Sequence, residues 1–169
     1  MGVVVFKHAL DIQPSELKYL QRRGMQGTTI LNPDNLRVQT RLRADCHVVQ
    51  RVLKLLQDRG LLQDRRFGGA VVLHSFPACR QQVWHRDYDP KRVGRVLPLG
   101  VIVALDTNWT KFCTPTATYG LKQGDVLCFT GDVVHAGASY ERPNTRLHLY
   151  LDAHDCKGRE KDEVYLWRS

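Results

Sequence analysis

Residues 131–152 read GDVVHAGASYERPNTRLHLYLD: a turn-forming Gly-Asp pair, then two runs of β-branched, aromatic and small residues separated by Pro143 and Asn144. In the second run the side chains alternate. Leu147, Leu149 and Leu151 fall on one side and Arg146, His148 and Tyr150 on the other. A period of two marks a strand with one face against an apolar core. An arginine in the opposite, inward row needs an anionic partner, because its charge cannot be left unpaired when buried. Its planar guanidinium is suited to bidentate recognition of a carboxylate.

Similar runs extend backwards and forwards from this stretch. GAVVLHSF, RQQVWH, LGVIVALD, TPTATYG, DVLCFT, VVHAGASY, RLHLYLD and EVYLWR are short and separated by Gly, Pro, Asp and Asn. They predict about eight strands of a sandwich or jelly roll. The first third carries helical signals instead. QPSELKYLQRRG offers Pro14 and Ser15 as a start and Gly24 as a stop. In DCHVVQRVLKLLQDRG, Asp45 can cap the start, Val48, Val49, Val52, Leu53, Leu55 and Leu56 form a broad apolar face, and Gly60 ends it. The expected organisation is a single domain that is mainly β with N-terminal helices: helical support over 1–68 and a β core over 69–169, joined at DRRFGG.

Composition narrows the class. The chain has 169 residues, 43% hydrophobic, with a net charge of +8, of which +6 lies within residues 1–68. Such an excess attracts polyanions or keeps a surface solvated. No apolar run approaches the roughly 20 residues that span a bilayer, and the opening residues lack a secretory pattern. A cytoplasmic or nuclear protein without membrane contact is expected. The five cysteines are odd in number and never form a C-x-x-C pair, which argues against a disulfide framework or a zinc knuckle.

Residues 81–90, QQVWHRDYDP, supply the chemistry. His85 and Asp87 are two positions apart, so on a strand both side chains point to the same side. His135 lies fifty positions later. Two histidines and one carboxylate make the facial triad of non-haem Fe(II) oxygenases, which leaves one face of the metal open. Trp84 fits as core, while Trp109 and Tyr88 lie in loops near the expected mouth. Asp125 and Asp132 read as turn residues, and His8, His47 and His154 as surface or satisfied histidines.

The order His85-x-Asp87, His135, Arg146 on a jelly-roll pattern resembles the Fe(II)/2-oxoglutarate-dependent dioxygenase superfamily. FPACRQQVWHRDY resembles the segment around the proximal ligands in phytanoyl-CoA-hydroxylase-like and prolyl-hydroxylase-like members, and LKQGDVLCFTGDVVHAGASY the segment around the distal histidine. The similarity covers roughly Val71 to Asp152. It implies a double-stranded β-helix, cupin-like and supported by helices. It implies His85, Asp87 and His135 as the iron ligands and catalytic centre, and Arg146 as the partner of the distal carboxylate of 2-oxoglutarate. His74 matches a position where several members contact the other end of 2-oxoglutarate, and His148 one where others carry Ser or Asn; both are counted with the cosubstrate. The family's Gly-Gly-x-Thr stretch is replaced by KFCTPTATYG. An aspartate at the carboxylate position speaks against a halogenase.

The resemblance thus implies a hydroxylase using Fe(II), 2-oxoglutarate and O₂. Its primary substrate could be a protein side chain, a nucleic acid or a small metabolite, with the basic N-terminal part favouring a polyanion. The alternative, of another class, is a catalytically inactive jelly-roll module that keeps the metal or ligand site as a sensor or scaffold.

Overall fold

The computed structural model describes residues 2–29, 34–89, 91, 94–155 and 165–166. Along these residues run β1 (Val3–Phe6), α1 (Pro14–Met25), β2 (Thr28–Thr29), β3 (Arg37–Leu42), α2 (His47–Asp58), β4 (Arg65–Ser75) and β5 (His85–Arg86). There follow β6 (Leu99–Ala104), β7 (Thr110–Cys113), β8 (Thr118–Leu121), β9 (Val126–Thr130), β10 (Ala136–Gly137), β11 (Asn144–Ala153) and β12 (Tyr165–Leu166). The major sheet has the order β1-β9-β6-β11-β4-β3-β2, and each of its pairings is antiparallel. A smaller sheet, β10-β7-β8, and the β12-β5 pair complete the fold, a jelly roll supported by helices.

β11 is the centre of the large sheet because its alternation serves two environments at once. Leu147, Leu149 and Leu151 join Val48, Val49, Val52 and Leu56 of α2, Leu20 of α1 and the Leu99, Val101 and Val103 row of β6 in the main core. On the opposite face Ile102, Ala104, Leu127 and Phe129 meet Phe112 and Leu121 of the smaller sheet. Arg146 and His148 of β11 stand on that inner face, and His85, Asp87 and His135 face it from the other layer. Among the described residues no helix is long and apolar enough to cross a membrane.

Several sequence expectations are corrected. Residues 1–68 are not only helical, since β1 pairs with β9 and β3 with β4, both within the major sheet. The boundary expected at DRRFGG falls inside β4, which already starts at Arg65 and whose first residues pair with the end of β11. α1 starts at Pro14 as expected, with a capping box between Gln13 and Glu16, but runs past Gly24 to Met25. Gly24 instead allows close packing on β4, where an added Cβ would lie 3.2 Å from His74 Cβ. Asp45 does not cap α2: it pairs with Arg43, and Cys46 takes the cap position without a side-chain bond. Gly60, with φ +69°, fits the expected stop. RQQVWH makes no continuous ladder. Its segment is held by separate backbone bonds, Tyr140 N–H to Cys79, Gln82 N–H to Gly137 and the His85–His135 pair. Of EVYLWR, only Tyr165 and Leu166 are among the described residues.

Leu149 is fully buried at the middle of β11. Leu149→Ala is expected to lower unfolding stability by about 3 kcal/mol in a urea titration, the usual cost of a core truncation. A loss below about 1 kcal/mol would contradict its place in the core.

Candidate metal centre

The site begins with backbone geometry. His85 and His135 exchange both main-chain hydrogen bonds, 3.0 Å from His85 N to His135 O and 2.9 Å in return. A hydrogen-bonded antiparallel pair sends both side chains to the same side, and the two rings lie 4.5 Å apart. Asp87, two residues on, shares that side. One ligand atom from each of His85, Asp87 and His135 lies within 4.8 Å of the other two, and all three residues are buried.

The donor set suits a divalent cation. His85 Nδ1 lies 2.8 Å from Val83 O and His135 Nδ1 3.1 Å from Val133 O. When each Nδ1–H donates to its carbonyl, each Nε2 keeps a lone pair, the arrangement that fixes imidazole ligands. His135 Nε2 is 3.7 Å from Asp87 Oδ2. Burial pushes the His135 imidazole down to about 3, despite the opposing pull of Asp87, so its neutral, ligating form holds at neutral pH. Phe112 stacks on the His135 ring at 5.1 Å, and Phe129 lies 4.6 Å away on the same inner face. These rings fix the imidazole and keep water from it.

The structure brings His148 to the same group, with its Nε2 3.3 Å from Asp87 Oδ2. Arg146 stands on the same face of β11, one residue pair along, and is buried with Nη1 3.5 Å from Ser75 Oγ. Burial lowers its pKa to about 10, with Arg37 the next contributor, which leaves the guanidinium charged at neutral pH.

His74 is not brought to the metal group, which corrects the expectation that it contacts the cosubstrate. It is the cross-strand partner of Thr145, so it shares the helix-facing side with Leu147, and its Nδ1 lies 3.0 Å from Thr145 Oγ1. Tyr88 is core rather than a mouth residue; it is 2% exposed and its hydroxyl donates to Asp152. Trp109 is half exposed and stacks beneath Lys122. Asp125 is more than a turn residue: fully buried, it accepts bonds from His8 N, Lys122 N and Lys7 Nζ. His47 pairs with Glu16. Sequence reasoning missed Arg37, a fully buried residue of the same inner face. Its signal was the alternation in RVQTRL, residues 37–42.

No family model matches the chain, and no curated protein matches it. Solved structures do. The chain is similar to the viral collagen prolyl hydroxylase of Paramecium bursaria Chlorella virus-1 in its 2-oxoglutarate complex, at 15% identity and TM-score 0.67, over 90% of this chain and 97% of that one. A prolyl-4-hydroxylase of Pseudomonas putida matches at 14% identity and TM-score 0.64, over 90% and 93%. HygX of Streptomyces hygroscopicus, with nickel and 2-oxoglutarate bound, matches at 13% identity and TM-score 0.63, over 96% and 93%. With a jelly roll of this topology and a buried His-Asp-His group on its inner face, the chain has the fold of the Fe(II)/2-oxoglutarate oxygenases.

Proposed function

We propose that the protein is an Fe(II)- and 2-oxoglutarate-dependent dioxygenase that hydroxylates a second substrate, or demethylates it by hydroxylating an N-methyl group. The observation that carries this reading is the buried group of His85, Asp87 and His135 beside the inner row of β11, which carries a buried, charged Arg146 two residues from the His148 that meets Asp87. The three residues would hold iron, and Arg146 would take the far carboxylate of 2-oxoglutarate. Bound there, the metal and cosubstrate would supply O₂ activation coupled to oxidative decarboxylation, with succinate and CO₂ as coproducts.

The chain's own part is to orient and to exclude. The carbonyls of Val83 and Val133 set the two imidazoles. Phe112 and Phe129 wall His135 from solvent, and His148 lies beside the carboxylate of Asp87. A protein side chain, a nucleic acid and a small metabolite are all compatible with this centre as primary substrate. The +6 balance of residues 1–68 favours a polyanion.

Anaerobic addition of Fe(II) and then 2-oxoglutarate is expected to produce the visible charge-transfer band of the chelate. Arg146→Ala should need roughly 100-fold more 2-oxoglutarate, the scale of losing charge-assisted hydrogen bonds in a buried site. Iron binding without a band would favour a metal-binding sensor or scaffold instead. His135→Ala is expected to abolish 2-oxoglutarate turnover while the far-ultraviolet circular dichroism stays that of the folded protein.

The metal ligands also give a pH signature. In the unfolded chain a histidine titrates near its ordinary value of about 6.5, whereas burial holds His135 at about 3 in the fold. Between these values the unfolded state binds the extra proton, so this group's contribution to stability falls as pH falls from about 6.5 towards 3. Metal-free protein should lose about 2 kcal/mol from this group between pH 7 and pH 5. Urea titrations at the two pH values should register that loss, and His135→Gln should remove it.

A further inference from the structure

The inner face of the major sheet carries a second buried guanidinium. In β3, Val38, Thr40 and Leu42 turn towards the helices, and Arg37, Gln39 and Arg41 form the other row. Arg37 stands opposite Ser75 of β4, which in turn stands opposite Asn144 of β11, two residues before Arg146 in the same row. Ser75 is the residue whose hydroxyl lies 3.5 Å from Arg146 Nη1.

Arg37 is fully buried, yet only one of its nitrogens is engaged. Nη2 donates to Ala138 O at 2.8 Å, with Arg80 O at 3.4 Å and Cys79 Sγ at 3.5 Å. Nε and Nη1 have no partner among the described residues. Neither Arg37 nor Arg146 is paired with a carboxylate among those residues.

The two guanidiniums converge on one place. A Cβ added at Gly137 would lie 2.7 Å from Arg146 Nη2 and closer still to Arg37 Nη1. Only glycine lets both cations approach the β10 backbone there. Two buried like charges repel, and Arg37 adds to the lowering of the Arg146 pKa that burial begins. A role as loop anchor accounts for Nη2 on Ala138 O. It does not account for two further buried donors, which cost free energy unless something accepts from them. The missing partner is an anion with several acceptor lone pairs, which a carboxylate provides.

We infer that Arg37 is a second carboxylate-binding residue: with Arg146 it clamps the far carboxylate of a dicarboxylic 2-oxo acid, and the pair makes the site select that dianion over 2-oxo acids with an uncharged tail. The inference rests on the cosubstrate reading given under the proposed function and adds to it a residue from outside the strand that carries Arg146.

The test compares two ligands on the Fe(II)-loaded protein without oxygen. 2-Oxoglutarate and 2-oxopentanoate, which has the same chain length without the second carboxylate, are titrated into wild type, Arg37→Met and Arg37→Lys, and the chelate band is read. Arg37→Met is expected to weaken 2-oxoglutarate about 10- to 100-fold and to leave 2-oxopentanoate within about twofold. Arg37→Lys keeps the charge but loses the planar fork, so it should fall between the two. It carries the test alone if the Met variant does not fold, with at least a fivefold fall in the ratio of the two affinities expected. An unchanged ratio, whether both ligands weaken together or neither does, overturns the assignment of Arg37 and leaves the cosubstrate reading standing. No band from wild type with 2-oxoglutarate overturns the cosubstrate reading itself, and the clamp with it.

Discussion

Two hydrogen bonds between the backbones of His85 and His135 set the register of the two ligand-bearing segments, which Gln82–Gly137 and Cys79–Tyr140 backbone bonds join further along. The His85–His135 bonds tie β5 to the residue just before β10, and Gln82 bonds Gly137 of β10 itself, so the β12-β5 pair is continued into the smaller sheet. The same two bonds bring residues fifty positions apart into register as ligands. A slip of one residue on either side would turn one imidazole away, because neighbouring side chains in an extended chain point in opposite directions. The site's precision is therefore a property of strand pairing first and of side chains second.

The major sheet separates two kinds of burial. Its helix-facing side is almost wholly aliphatic around Leu147, Leu149 and Leu151, and so supplies stability in proportion to the apolar area it covers. Its inner side mixes Ile102, Leu127 and Phe129 with Arg37, Arg146 and His148, all at most 5% exposed. Buried charges of that density work against folding and are the mark of a site organised for ions. The aliphatic face offsets what the polar face costs, and β11 contributes to both through alternate residues.

What could be read from the chain follows from what is local. The alternation of residues 146–152 and the His85-x-Asp87 spacing lie inside single segments, so their facing was legible before any partner was known. His74 was misplaced because its assignment rested on a matched position in the resemblance, whereas the side it faces is set by its pairing with Thr145 across β4 and β11. β1 was missed because a strand of four residues carries little signal of its own and becomes a strand through β9; β3 was missed because its polar RVQTRL pattern lacks the apolar run that marked the others, and it is held as a strand by β4. Arg37 escaped notice because the polar row Arg37, Gln39 and Arg41 looks like a solvated face; Arg41 is indeed exposed, and only the fold buries Arg37.

The position of β11 in the chain also bears on how the protein comes into being. The strand at the middle of the seven-stranded sheet is Asn144–Ala153, and its neighbours β4 and β6 begin at Arg65 and Leu99. During synthesis most of the chain must emerge before the sheet can acquire its central member, and until then the facing edges of β4 and β6 have no partner. Contacts of such sequence separation form slowly, and open strand edges invite association with other chains. The helices and the β3-β4 pairing are the parts able to form early. Late closure by β11 would then complete the aliphatic core and deliver Arg146 to its place in one event.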